Sequence, residues 1–432
     1  MKILYISIPK YIPSGVVSVT QYLVEGVKNY GFDVRLVSCW PGTGYYDYKN
    51  YCYDSTKETA PLTASQIAEV AREFRPDIIH VHTMGVAESW HGGINLIKET
   101  AGNPVLVYTL HTPKQAKYDL PTIEMCNISD VVITLSESHK LRLGNLYPDI
   151  RGKIVAIHNF PEPTFFELSK SKEVDEYARQ FVDHYTPKNE KIILYIGRVE
   201  ELKGLKFLFL AFKNILLKYP STKLLLVGSF GGAEERKFIQ DCGISDKVID
   251  TNIVFINWVR NDILIAAYYR MLFLDGKVNG VVVTPIAYRA LMVFMNAIAM
   301  KSPAVTFGEI DDSRLATASS LLAHPRNIFN CIDDIFSAKP SEIKRRIDNS
   351  YELVKNTYSL ENYIEKHVEL YERLLKSKKP RGDKNESGDE SNLDKIFNEL
   401  LDEGGELDRV FEQFLNEDDG SLDSEFESIL NQ

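Results

Sequence analysis

Lys191-Ile-Ile-Leu-Tyr-Ile-Gly-Arg-Val-Glu-Glu-Leu-Lys-Gly204 decides the reading of this chain. Its apolar run, Ile192 to Ile196, has the continuous hydrophobicity of a strand buried on both faces, and it stops at Gly197. Arg198 and Lys203 follow, and a helical pattern (Leu205, Leu208, Phe209, Phe212) begins at once. A strand that ends in glycine and enters a helix through basic residues suits phosphate. Arg198 offers a two-pronged donor, Lys203 a compact charge, and the helix start its unpaired N–H groups. Two surface cations after an ordinary strand are the plainer reading of the same residues.

Outward from that segment, strand-like runs recur at 2–8, 33–39, 77–82, 105–110, 130–135 and 153–158, with helical patterns such as 17–29 and 64–75 between them. Pro161-Glu-Pro163 interrupts the series, and a second one runs through 191–196, 223–228, 252–256, 279–284 and 303–307. Alternating strands and helices specify parallel sheets with helices on both faces. The expected fold is therefore α/β, with two doubly wound Rossmann-like domains facing across a cleft at their strand C-terminal ends. The expected divisions are 1–165, 185–340, a closing helical segment at 341–376 and a tail at 377–432.

Several motifs, in order, resemble the retaining glycosyltransferases of family four, which have the GT-B fold. Gly197-Arg198 with Lys203-Gly204 is similar to their Gly-Arg-x4-Lys-Gly signature. Lys2-Ile-Leu-Tyr-Ile with Pro13-Ser-Gly15 resembles their first strand and glycine loop. Pro76-Asp-Ile-Ile-His-Val-His82 and Tyr108-Thr-Leu-His111-Thr112 resemble their Asp-hydrophobic-His strand and Thr-x-His motif. Asp130 to Ser136 and Lys153 to Asn159 resemble the last two strands of their first domain, and the likeness extends to about Lys376.

The resemblance implies a sugar transfer from a nucleotide-sugar to a glycan or lipid-linked acceptor, with retention and without a cofactor. It places Arg198 and Lys203 on the diphosphate, Gly15 where backbone approaches diphosphate or acceptor, and His111 beside the donor sugar. Gly228, opening Ser229-Phe-Gly-Gly232, would border the nucleotide, although a plain loop explains it equally. His82, His111 and His158 all close strands, but no carboxylate or Cys stands at ligand spacing and the resembled enzymes use no metal, so none is expected.

One segment departs from the family, Thr284-Pro-Ile-Ala-Tyr-Arg-Ala-Leu-Met-Val-Phe-Met-Asn296 and its continuation to Val305. Where the resembled enzymes carry two glutamates, Tyr288 and Asn296 stand here, with Arg289 beside the first and Lys301 replacing a glycine. Asn296 can still bond a ribose hydroxyl, but without charge assistance. Two readings compete: Arg289 pairs an anionic group on a substrate, or the chain is a catalytically silent GT-B partner subunit that binds proteins through its tail.

Composition completes these expectations. Hydrophobic residues form 44% of the 432, enough for two cores, and the five cysteines have no paired spacing, as in a reduced cytoplasmic protein. Val281 to Met300 is apolar, but Pro285, Arg289 and Asn296 favour a buried strand and helix over a membrane span. The overall charge of −10 hides a split, since 383–432 carries 17 acidic against 3 basic residues and the remainder a slight positive excess. That balance calls for no nucleic-acid partner and permits peripheral contact with the inner face of a membrane. The acidic tail, expected to be disordered, repeats Leu393-Asp-x-x-Phe397, Leu407-Asp-x-x-Phe411 and Leu422-Asp-x-x-Phe426 at spacings of 14 and 15. Each copy to Leu430 fits a short amphipathic helix that docks on a protein partner.

Overall fold

The computed structural model describes residues 1–7, 15–40, 49–54, 57–62, 64–82, 91–111, 120–199, 203–259, 261–284, 287–306 and 328–377. At 38–40, 49–54, 57–62, 64, 91–92, 120–121 and 287–291 it describes backbone alone. Met1–Tyr371 forms one unit and Glu372–Gln432 a second, and the three Leu-Asp-x-x-Phe repeats lie outside the described residues.

The first sheet has eight strands: β1 (Lys2–Ser7), β2 (Asp33–Trp40), β3 (Lys49–Asp54), β4 (Lys57–Leu62), β5 (Ile78–His82), β6 (Val105–Thr109), β7 (Val131–Thr134) and β8 (Ile154–Ala156). Their order is β4-β3-β2-β1-β5-β6-β7-β8. Ile3, Leu4, Tyr5 and Ile6 are wholly buried, as expected where helices cover both faces of a parallel strand. Each such aliphatic side chain contributes about 1.5–3 kcal/mol by leaving water. The antiparallel pair β3–β4 is absent from the sequence reading, because Lys49-Asn-Tyr-Cys-Tyr-Asp54 lacks an apolar run.

The second sheet runs β11-β10-β9-β14-β15, from β9 (Ile192–Ile196), β10 (Lys223–Val227), β11 (Ile253–Ile256), β14 (Gly280–Thr284) and β15 (Ala304–Thr306). A small hairpin, β12 (Phe273–Leu274) with β13 (Lys277–Val278), precedes β14. Period-two alternation divides β9 between two cores: Ile193 and Tyr195 join one, Ile192 and Leu194 the other. Phe165, Val174 and Ala178 pack in that second core, so the chain joins the second sheet directly after Pro163. Ser171 caps the helix Lys172–Tyr185 by accepting from the Val174 N–H.

Val281–Met300 is a buried strand followed by a helix, Ala287–Ala299, and no helix among the described residues is long and apolar enough to cross a membrane. Lys301, in a glycine's place by the family pattern, adopts φ +55° just after that helix. A left-handed non-glycine residue costs about 1–2 kcal/mol. Its ammonium lies 4.4 Å from the centre of the Tyr351 ring, an offsetting cation–π contact.

After the second sheet, the helix Pro340–Thr357 sends Ile343 and Ile347 into one core and Tyr351 and Val354 into the other. The next helix, Leu360–Ser377, returns to the first sheet, where Tyr371 meets Tyr5 and His80. Three free cysteines among the described residues, Cys126, Cys242 and Cys331, are buried.

Candidate functional site

Strand order fixes where ligands of doubly wound sheets bind: outside the C-terminal ends of the strands where connections reverse direction. In the first sheet that point lies between β1 and β5, at Ser7 and His82. In the second it lies between β9 and β14, at Gly197 and Thr284. Gly15, His82, His111, Arg198, Lys203, Gly228 and the Ala287–Ala299 helix all follow or end strands at these two edges.

At the second edge the chain leaves β9 through Gly197, whose φ of +145° a side chain resists. Its N–H donates to the Val227 carbonyl, and the Tyr195 hydroxyl donates to the Arg198 carbonyl at 2.8 Å. The backbone that presents Arg198 is thereby held at both ends, and its side chain is exposed. Lys203 is half-buried, and Gly204, at φ +70°, caps the 14-residue helix Leu205–Lys218. Guanidinium, ammonium and a helix N-terminus thus share one strand-to-helix passage, a combination suited to a diphosphate.

Gly228 sits against that passage. Its φ is +98°, and a Cβ there would stand 3.0 Å from the Gly197 carbonyl oxygen and 3.5 Å from the Trp258 ring. Gly228→Ala should therefore destabilise the chain by about 1–2 kcal/mol through backbone strain. Because the obstructing atom is backbone, relief must displace Gly197, so nucleotide affinity should fall as well. Thermal melts and calorimetry would check this; unchanged stability and affinity would count against the assigned geometry.

The helix Ala287–Ala299 carries the departed motif. Tyr288 and Arg289 lie in its first turn, and their side chains lie outside the described residues. Gly15, which opens the helix Gly15–Asn29, is close enough that a Cβ would stand 3.2 Å from the Met292 sulfur. A first-sheet loop glycine and the departed helix are therefore neighbours. Asn296 is buried, and its Oδ1 accepts the Glu162 N–H at 2.8 Å, which ties this helix to the inter-sheet linker. The Glu162 carboxyl accepts from the Tyr22 hydroxyl at 3.2 Å, and burial raises its pKa. The tie to Glu162 gives Asn296 a structural task that its sequence position did not disclose.

The first edge holds a cluster of imidazoles. His80 and His82, two apart on β5, share one face with Tyr5 of β1 and Thr109 of β6. Tyr363, His367 and Tyr371, spaced by four on the Leu360–Ser377 helix, come down on them. His111 Nε2 lies 3.0 Å from His82 Nδ1, and His82 Nε2 lies 3.2 Å from His80 Nδ1. His80 Nδ1 is 2.6 Å from the Tyr371 hydroxyl, and His80 Nε2 is 2.7 Å from Thr109 Oγ1. His367 Nδ1 donates to the Tyr363 carbonyl at 2.8 Å, while its Nε2 and the Tyr363 hydroxyl are buried with no partner among the described residues.

Among the described residues no ion pair compensates these rings. Burial, with neighbouring imidazoles adding to it, pushes His80 and His82 well below 6.5 and His111 to about 3, and burial lowers His367 to about 4 against the opposing bond to the Tyr363 carbonyl. His111 is thus a neutral ring at physiological pH, able to donate or accept a hydrogen bond but not to supply positive charge. The sequence reading singled out His111 and His82; His80, Thr109, Tyr5 and Tyr371 are additions from the structure. His158, grouped with them by sequence, instead packs its ring on Tyr358 at 5.5 Å. Among the described residues no group of three or more His, Cys, Asp or Glu is arranged to hold a metal.

Two doubly wound sheets with these switch points define the GT-B class of architecture. Residues 13–164 match the Glycosyltransferase Family 4 domain and 177–275 the Glycosyl transferases group 1 domain, together more than half the chain. The chain therefore belongs to the proteins that carry both of these glycosyltransferase domains. It is 26% identical over 262 residues to an uncharacterised glycosyltransferase of Methanocaldococcus jannaschii, an alignment covering 58% of this chain and 61% of that relative. The chain thus spans about three fifths of that curated relative. Among solved structures, a glycosyltransferase of Rickettsia africae superposes with a TM-score of 0.63 at 19% identity, over 87% of this chain and 99% of the other. HepE of Anabaena, solved with UDP and glucose, superposes with a TM-score of 0.61 at 15% identity, over 87% of this chain and all of the other.

Proposed function

We propose that this chain transfers a sugar from a nucleoside diphosphate donor to a glycan or lipid-linked acceptor, with retention at the anomeric carbon. The observation that carries the reading is the passage from β9 into Leu205–Lys218, which gathers Arg198, Lys203 and a helix N-terminus beside Gly197 and Gly228. HepE, a fold neighbour, binds UDP and glucose, which supports a nucleotide-sugar as the donor class here.

In this reading Arg198 and Lys203 stabilise the diphosphate as negative charge develops on departure, by donors fixed before the reaction. His111, neutral, orients a donor-sugar hydroxyl. With Tyr288 and Asn296 where the resembled enzymes have glutamates, no carboxylate from this helix supports the sugar ring or ribose. Arg289, in the same first turn, pairs an anionic group of a substrate.

A thermal-shift panel of nucleoside diphosphates and nucleotide-sugars tests the donor class, because a ligand that binds only the folded chain raises its melting point. Turnover assays on the donors that shift it test transfer. Arg289→Ala is expected to lower kcat/KM for an acceptor or donor bearing an extra anionic group and to spare a neutral analogue. If no donor is turned over and Tyr288→Glu with Asn296→Glu gains turnover, the proposed role of Arg289 fails.

A further inference from the structure

We propose that Tyr371, on the Leu360–Ser377 helix, is a positioning residue that sets the tautomer of His111 through His80 and His82. The consequence for transfer rests on the site role proposed above for His111; the tautomer itself does not.

The inference follows from distances and from proton counting. Each neutral imidazole has one N–H and one bare nitrogen. The contact between the Tyr371 hydroxyl and His80 Nδ1 measures 2.6 Å, just under the roughly 2.7–3.2 Å range of N–H donors to oxygen. Taken as the donor at this short distance, the hydroxyl makes His80 Nδ1 the acceptor. The single His80 proton then belongs to Nε2, which donates to Thr109 Oγ1 at 2.7 Å, within the N–H range.

His82 Nε2 lies 3.2 Å from the bare His80 Nδ1, and two lone pairs do not face each other at that distance. His82 thus carries its proton on Nε2, as a second and weaker donor to His80. That leaves His82 Nδ1 bare, and His111 Nε2, 3.0 Å away, must donate to it. His111 is held as the Nε2–H tautomer, with Nδ1 left as an acceptor for a hydroxyl. Tyr5, 3.0 Å from the Tyr371 oxygen, completes the order by donating to it.

Nothing in β5 or β6 alone fixes this direction. Reversed, the chain would put the proton on His111 Nδ1 and present no acceptor there. Because the deciding hydroxyl belongs to the Leu360–Ser377 helix, seating of that helix on the sheet governs which hydrogen bond His111 can make.

The test is long-range proton–nitrogen NMR on the full-length chain labelled with 15N-histidine, at neutral pH, with His111 assigned by its loss in His111→Gln. The unmutated chain should show His111 protonated on Nε2 alone. Tyr371→Phe removes the deciding donor and should give a mixture of both His111 tautomers. Thr109→Val removes the acceptor of His80 and should favour Nδ1–H, whereas Thr109→Ser should keep Nε2–H; this pair decides the matter if Tyr371→Phe does not fold.

Partners that orient a metal-ligating imidazole are commonly worth about 10- to 100-fold, and a comparable effect is expected for His111. Turnover in Tyr371→Phe should accordingly fall about tenfold or more, with little change in KM for the nucleotide-sugar. A tautomer change with unchanged turnover upholds the positioning and refutes the site role of His111. A proton on Nδ1 in the unmutated chain, or Nε2–H alone in both Tyr371→Phe and Thr109→Val, overturns the proposal.

Discussion

Arg198→Ala is expected to weaken nucleoside diphosphate binding by about 1.5–3 kcal/mol, the range for a hydrogen bond to a charged group. That corresponds to roughly 10- to 150-fold in Kd. The fold should survive, because the Arg198 side chain is exposed and the Tyr195 hydroxyl holds its backbone carbonyl, which alanine retains. Arg198→Lys should recover part of the loss, since an ammonium supplies charge but cannot form the two parallel bonds of a guanidinium. Lys203→Ala should weaken binding too, and the double alanine variant more than either alone. Calorimetry with UDP and GDP would check these ranks. If the unmutated chain binds neither those nor any other nucleoside diphosphate, or if the double variant binds as tightly as the parent, the phosphate reading of this passage is wrong.

How much of this was legible in the sequence depended on where each contact's partners lie along the chain. β1, β5, β9 and β14 could be read because a strand buried on both faces needs an unbroken apolar run. β3 and β4 could not, since neither Lys49–Asp54 nor Lys57–Leu62 contains an unbroken apolar run. Arg198, Lys203 and Gly204 were readable for a similar reason: a strand-to-helix passage is local. The bond from Glu162 to Asn296 spans 134 residues and the contact of His80 with Tyr371 spans 291, and no local pattern encodes such pairings. Two signals were nonetheless present. His80 and His82 have strand spacing, and Tyr363, His367 and Tyr371 have helix spacing, so each set had to share a face; only folding showed that the two faces meet.

Stability should fall steeply as pH drops below about 6.5, because the imidazole cluster must remain neutral to stay buried. His80, His82 and His367 are wholly inaccessible, and burial is the leading cause of the depressed pKa of each. Among the described residues the groups that contact them are neutral: Tyr5 from β1, Thr109 from β6, His111 beyond it, and Tyr363 and Tyr371 from the helix. Among the described residues no carboxylate hydrogen-bonds to these rings. A folded pKa below the unfolded value means that the unfolded chain takes up protons first. The contribution is therefore fully present above 6.5 and is lost as pH falls from there toward the folded values. Each such ring costs up to about 1.4 kcal/mol per pH unit, and with His111 and the buried His139, both held near 3, five together cost up to about 7. Few domains have more than about 5–15 kcal/mol to lose, and unfolding should begin near pH 5. Glu342, held near 2 by Arg345 and Arg346, loses its pairing only at lower pH. His367→Leu removes one proton-binding ring with no partner at Nε2. It should lower the slope by about one fifth and leave the variant relatively more stable in acid. Denaturation in urea across a pH series would measure both slopes. A parent stability that is flat from about pH 7 to 5, or a slope that His367→Leu leaves unchanged, would mean that the cluster accepts protons without opening.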